Sequence, residues 1–338
     1  MLKHLLFGKK VKTIVPYVAI TSGEPAGIGP DICCYLATQP AVPAVVYGCP
    51  QLLAERAVQI GIKMSIQLVS SKPPVCGEGI LTVRPINGCF NRTPGQLDPH
   101  NAAYVFGQLD AAINDCITGE ATAMITAPVH KKNLSTPNKV FHGHTEYLAE
   151  KSNTPSVSMQ FANEHLIAGL VTVHQPLETV AKNITIEKIV SKLDALHQSH
   201  QQHFPNKKCR IGVMGLNPHA GEEGLLGTEE LTVISPAIQA FLAHATEVEV
   251  EGPLSPDATF VPHNLSEYSA ILGMYHDQVL APLKALYPRS LVNVTWGLPF
   301  LRVSVDHGTA IKLAGTGKAD PSSLLYAVRF ALERAHDA

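Results

Sequence analysis

Short apolar, β-rich runs alternate with longer stretches of helical periodicity along the chain, and polar, glycine-rich strings follow the runs. That order is the pattern of an α/β fold built on a mainly parallel sheet. Residues 15–23 read as a first strand, followed by a Gly/Pro turn and a helix from about Pro30. Residues 44–48, 65–70 and 123–128 read as further strands. Residues 100–120 carry Ala103, Phe106, Leu109, Ala112, Ile113 and Cys116 at helical spacing. Two strand-like runs flank Asn163-Glu164, which predicts an antiparallel hairpin inside the otherwise parallel order. A helix over 185–204 follows, with Thr185 at its N-cap. A strand from Arg210, a glycine-rich loop, a helix from Thr228, three more strands and a closing helix over 321–336 complete the pattern.

Composition narrows the function classes. Only 16% of the 338 residues are Asp, Glu, Lys or Arg, against about 25% in an average domain. The net charge is -2 and no Lys/Arg run exceeds two residues, which excludes a general nucleic-acid binder. The seven cysteines are odd in number, irregular in spacing and without CxxC, so buried thiols in a reducing, cytoplasmic compartment are expected. The apolar stretch near the start, Leu5 to Phe7, is too short for a signal h-region, and no window resembles a membrane span.

In open α/β sheets ligands bind beyond the carboxyl ends of the strands, so the strings found there are expected to assemble one site. The turn TSGEPAGIGPDI (21–32) suits close approach of backbone to a ligand, or simply a tight strand-to-helix turn; it is not GxGxxG. His174, His219 and His276 each end an apolar run. Three imidazoles with one open position are a catalytic metal set, although the separations of 45 and 57 residues equally suit hydrogen-bonded loop histidines. His144 and Thr145 open a helix, where Thr145 is either an N-cap or part of an anion site. Lys284, Asn293 and Arg302 suggest recognition of an anionic substrate, with ordinary salt bridges as the alternative. Asp257 and Asp277 are candidates for ligand orientation, proton transfer or loop capping. The polar stretch 304–321 is a long loop, and loops of that length in compact domains are usually functional.

Taken in order, GEPAGIGPD, TAPVHK, GHTEYLAE, TVHQPL, GLNPHAGEEG, GPLSPD, MYHDQ, GLPFLRVSVDHGTA and AGTGKADP resemble the 4-hydroxythreonine-4-phosphate dehydrogenase family of pyridoxal phosphate biosynthesis. The strings run from Thr21 to about Asp320, nearly the whole chain. The resemblance implies two α/β/α domains with a cleft between them, as in isocitrate and isopropylmalate dehydrogenases. With length and cluster positions, it predicts a first domain of 1–133 plus 288–338 and a second of 134–287. It implies that His174, His219 and His276 bind a divalent cation (Zn²⁺, Mg²⁺ or Co²⁺). His144, Thr145, Lys284, Asn293 and Arg302 correspond to substrate-binding positions. Gly221, Gly224, Asp306, His307, Gly308, Gly315 and Asp320 fall in segments expected to contact NAD or NADP. Asp257, Asp277 and Lys284 become catalytic candidates.

The implied activity is oxidation of 4-phosphooxy-L-threonine by a homodimer whose sites draw on both subunits, with His276, Lys284, Asn293 and Arg302 facing the partner subunit's His174 and His219. Four positions depart from the family pattern. Val279 stands where Gly is expected, Glu223 and Leu225 replace Gly and His, and Trp296 replaces Leu. Alternative readings are a dehydrogenase of phospho-threonate or phospho-erythronate, a metal-dependent hydrolase, and a non-catalytic small-molecule binder.

Overall fold

The computed structural model describes residues 17–69, 74–88, 91–137 and 140–335. Val15, Ser70, Cys89 and His336, each part of an expectation above, lie outside the described residues. Among the described residues are twelve strands: β1 (Tyr17–Thr21), β2 (Ala44–Gly48), β3 (Ser65–Leu68), β4 (Ile80–Pro85), β5 (Ala121–Thr126), β6 (Ser158–Ala162), β7 (Ile167–Leu170), β8 (Cys209–Met214), β9 (Val248–Leu254), β10 (Ala270–Gly273), β11 (Val292–Trp296) and β12 (Leu301–Ser304). They form one mixed sheet in the order β3-β4-β2-β1-β5-β12-β11-β6-β7-β10-β8-β9. The expected hairpin is present as the antiparallel pair β6–β7.

The principal helices are α1 (Gly29–Cys34), α2 (Pro50–Gln59), α3 (Ala102–Ile117), α4 (His144–Lys151), α5 (Ile186–His203), α6 (Ser235–Leu242), α7 (His276–Leu286) and α8 (Ser322–Ala335). All five residues of β1 are buried, because helices cover both faces. Val18 and Ile20 pack in the cluster that holds Ile32 of α1, Leu53 of α2 and Leu324 of α8. Tyr17 and Ala19 point the other way, into the cluster of α3 residues Tyr104, Val105 and Leu109. Thr185 caps α5 as expected, its side chain accepting a hydrogen bond from the Lys188 N–H at 3.3 Å. Thr145 is not a cap: α4 begins at His144 after Gly143, and the Thr145 hydroxyl points instead to the Thr295 hydroxyl, 3.4 Å away.

Strand direction decides where the strand-end motifs fall. The pairs β12–β11, β11–β6 and β6–β7 are antiparallel, while the pairings on either side of them are parallel. Three reversals leave β7, β10, β8 and β9 running opposite to β1, β5 and β12. The carboxyl ends of the two groups therefore lie on opposite edges of the sheet. Within one chain the strand-end strings therefore fall on two edges, because the interposed strands β11 and β6 turn half of the sheet around.

Candidate active site

Arg302 projects from β12 at the centre of the sheet and is only 3% exposed. It stands opposite Thr295 in the β11–β12 register. Its Nη1 donates to the Thr295 hydroxyl at 2.8 Å and its Nη2 to the Thr126 hydroxyl at 2.7 Å. Its Nε is buried without a partner. Burial pushes the guanidinium down to about 9, against a smaller opposing pull from Glu146. The neighbouring imidazole of His144 is held well below its usual range, first by burial and then by the charges of Arg302 and Lys131. His144 is thus neutral, and its buried Nε2 has no partner. Asn293 on the adjoining strand has a buried Oδ1 without a partner. Unpaired polar atoms beside a buried cation hydrogen-bonded to hydroxyls suit an anion, since such groups are costly to bury unless something pairs them.

The three histidines lie at the ends of neighbouring strands. β10 pairs with β7 on one side and β8 on the other, so His174, His276 and His219 follow three adjacent carboxyl ends. The His174 and His276 rings have centroids 5.7 Å apart. Nδ1 of His276 is 2.7 Å from the Asp277 carboxylate, a bond that orients the ring. The Ser255 hydroxyl donates to the Asp257 carboxylate and holds it below its usual range, with proximity to His219 a smaller cause. Among the described residues of one chain, no group of three His, Cys, Asp or Glu side chains is placed to hold a metal ion. The donor chemistry nevertheless suits a divalent cation, because all three are imidazoles, His276 is oriented by a carboxylate, and His174 and His219 are exposed.

His219 sits in a loop of unusual backbone. Residues 219–223 all have positive φ, from 41° at Glu222 to 81° at Gly221. Glu230 holds this loop, accepting hydrogen bonds from the N–H groups of Leu216 and Asn217, both at 2.7 Å. Gly221 is required there, because a Cβ would lie 2.6 Å from Glu230 Oε2. Gly224 also has positive φ.

The long loop after β12 is tied to the first glycine-rich turn. The buried Asp31 carboxylate pairs with Arg56 and accepts from the Gly315 N–H at 2.6 Å. Ile28 N–H donates to Thr309 O at 3.0 Å, and Gly27 must be glycine because a Cβ would lie 2.9 Å from that oxygen. A side chain at Gly308 would meet nothing within 4 Å, and the nearby His307 Nε2 is buried without a partner. This cradle of open backbone and an unused imidazole nitrogen suits a nucleotide cofactor. Asp320 caps the start of α8 through Ser322, and Asp306 pairs with Lys284 at 2.9 Å.

One protomer thus gathers His144, Thr145 and Arg302 into one group, His174 and His276 into a second, and Lys284 and Asp306 into a third. Sequence reasoning missed Thr126, Thr295, Lys131 and Glu230. Thr126 was signalled by its place at the end of a buried strand, and Glu230 by its position in the first turn after a glycine-rich loop. Nothing local marked Thr295.

The fold and these groups fit an α/β dehydrogenase, and comparison with known proteins agrees. A protein 44% identical over 317 residues, spanning 94% of this chain and 96% of its own, is the 4-hydroxythreonine-4-phosphate dehydrogenase of Chromobacterium violaceum. The enzyme of that name from Vibrio cholerae is 43% identical over 319 residues, 94% of this chain and 96% of its own. The crystal structure of 4-hydroxythreonine-4-phosphate dehydrogenase from Klebsiella pneumoniae superposes with a TM-score of 0.85 at 31% identity, covering 95% of this chain and 99% of that one. The family model described as pyridoxal phosphate biosynthetic protein PdxA matches residues 40–331, and the chain belongs to that family.

Proposed function

We propose that this chain oxidises 4-phosphooxy-L-threonine at its 3-hydroxyl, with NAD or NADP accepting the hydride. The product, 2-amino-3-oxo-4-phosphooxybutanoate, then loses CO₂ to give 3-amino-2-oxopropyl phosphate. The observation that carries this reading is the chain-long similarity to proteins named for that reaction. Arg302, His144, Thr145, Asn293 and Lys284 bind the anionic ends of the substrate. His174, His219 and His276 hold a divalent cation, with Asp277 orienting His276. When bound, the cation stabilises negative charge developing on the 3-oxygen as a Lewis acid, while the nicotinamide takes the hydride. Asp257, Asp277 and Lys284 are the groups available to move the hydroxyl proton. Gly221, Gly224, Gly308 and Gly315 let backbone approach the cofactor, and Asp306, His307 and Asp320 line the same loop.

The working unit is a homodimer in which His276 serves a site containing the partner's copies of the other ligands. The proposed domain limits, 1–133 plus 288–338 and 134–287, assign β11 to the first domain and β6 to the second, neighbours in the one sheet. No described helix is long and apolar enough to cross a membrane, and Cys33, Cys34, Cys76, Cys116 and Cys209 are buried free thiols, in keeping with a reducing compartment.

The test is NADH absorbance with 4-phosphooxy-L-threonine beside its hydroxy-acid analogue phospho-threonate. Faster turnover of the amino acid supports the reading. Preference for the hydroxy acid moves the chain to a related substrate, and absence of nucleotide reduction with either overturns it.

A further inference from the structure

A guanidinium offers five N–H donors in a fixed fork. In Arg302 two of them are used, and both acceptors are neutral hydroxyls, those of Thr126 and Thr295. The Nε–H is buried and unpaired. Buried arginines are ordinarily matched to carboxylates, which fix the side chain but cancel its charge. Threonine fixes it without cancelling anything. Both threonines sit on strands of the central sheet, Thr126 at the end of β5 and Thr295 within β11, so the fork is held from two rigid sides. The Thr295 hydroxyl also lies 3.4 Å from that of Thr145, which links the fork to the first turn of α4.

We propose that Thr126 and Thr295 are positioning residues that hold Arg302 fully charged, with its remaining N–H groups free for an oxyanion of the substrate. This rests on the dehydrogenase reading and deepens it. The pair acts through Arg302 and alters binding of the anion rather than the hydride step.

The experiment uses the full chain with Thr126→Val and Thr295→Val, which keep the shape and remove the acceptor, beside Thr126→Ser and Thr295→Ser, which keep it. The Ala variants give the same readout with no added bulk should valine not fold. Two quantities are read: KM and kcat for 4-phosphooxy-L-threonine, and the affinity for inorganic phosphate from the rise in melting temperature without cofactor. Each Val variant is expected to raise KM about tenfold and weaken phosphate about tenfold, as loss of one hydrogen bond to a charged group does. The Ser variants stay near the parent, and kcat changes less than about twofold. Unchanged phosphate affinity in the Val variants overturns the proposal, as does a fall in kcat at constant KM. Loss of phosphate binding in the Val variants of a chain that never reduces NAD upholds the positioning role and sinks the dehydrogenase reading instead.

Discussion

The Lys284 ammonium stands 2.9 Å from the Asp306 carboxylate, joining the far end of α7 to the loop that leaves β12. The contact ties a substrate-binding candidate to a cofactor-binding candidate. Both side chains are partly exposed, so the pair contributes under about 1 kcal/mol to folding. Asp306→Asn is therefore expected to leave the melting temperature within about 2 °C while lowering kcat/KM about tenfold. Parallel steady-state kinetics and thermal melts check this; unchanged kinetics remove Asp306 from the site.

Arg302 is buried with only a weak pull from Glu146 to offset the desolvation of its charge, its described hydrogen bonds going to the hydroxyls of Thr126 and Thr295. Replacing such a group with an apolar residue of similar volume relieves the desolvation cost. Arg302→Met is expected to raise the melting temperature of the unliganded chain and to raise KM at least about a hundredfold. Calorimetry with and without substrate reads both effects. A less stable variant that still binds substrate contradicts the assignment.

Glu223 occupies a left-handed conformation, φ 56°, where the family pattern has glycine. Glu223→Gly removes that strain and is expected to stabilise the chain by about 1 kcal/mol. Glu230→Gln weakens the clamp on the same loop and is expected to cost about 1–3 kcal/mol and to lower divalent-cation affinity about tenfold or more. Urea unfolding and metal titration distinguish the two; a stable Glu230→Gln chain of normal metal affinity refutes the clamp.

His200 and His203 are buried on α5, and burial pushes both imidazoles down to about 4. An unfolded histidine titrates near 6.5, so the unfolded chain takes up protons first as pH falls. Their contribution is complete above about pH 6.5 and is lost as pH drops toward 4, on the order of 3 kcal/mol for the pair by about pH 5. Urea midpoints across that range are expected to fall steeply, and His203→Gln to reduce the slope. An identical slope in the variant removes His203 as a cause.

Much of the fold was legible because the strands are buried on both faces and read as continuous apolar runs, as in Ala44–Gly48, while α5 carries its own cap at Thr185. The pattern revealed direction only in part. The short connection at Asn163-Glu164 announced the antiparallel β6–β7 pair, but β11 looks like any other strand in sequence, and its antiparallel pairing with both β12 and β6 completes the reversal of half of the sheet. The site was legible as residue types at strand ends, but not as contacts. Lys284 and Asp306 are 22 residues apart, and nothing local announces that they meet. The threonines that hold Arg302 were hidden for a related reason: a hydroxyl that accepts one buried hydrogen bond looks like any β-branched strand residue.

The account stands on a divalent cation held by His174, His219 and His276 and required for hydride transfer. The direct measurement is NADH formation from 4-phosphooxy-L-threonine by protein stripped of divalent metal, before and after adding Zn²⁺, Co²⁺ or Mg²⁺. The account predicts no turnover in the stripped protein and recovery with added cation. Undiminished turnover, with metal shown to be absent, contradicts it.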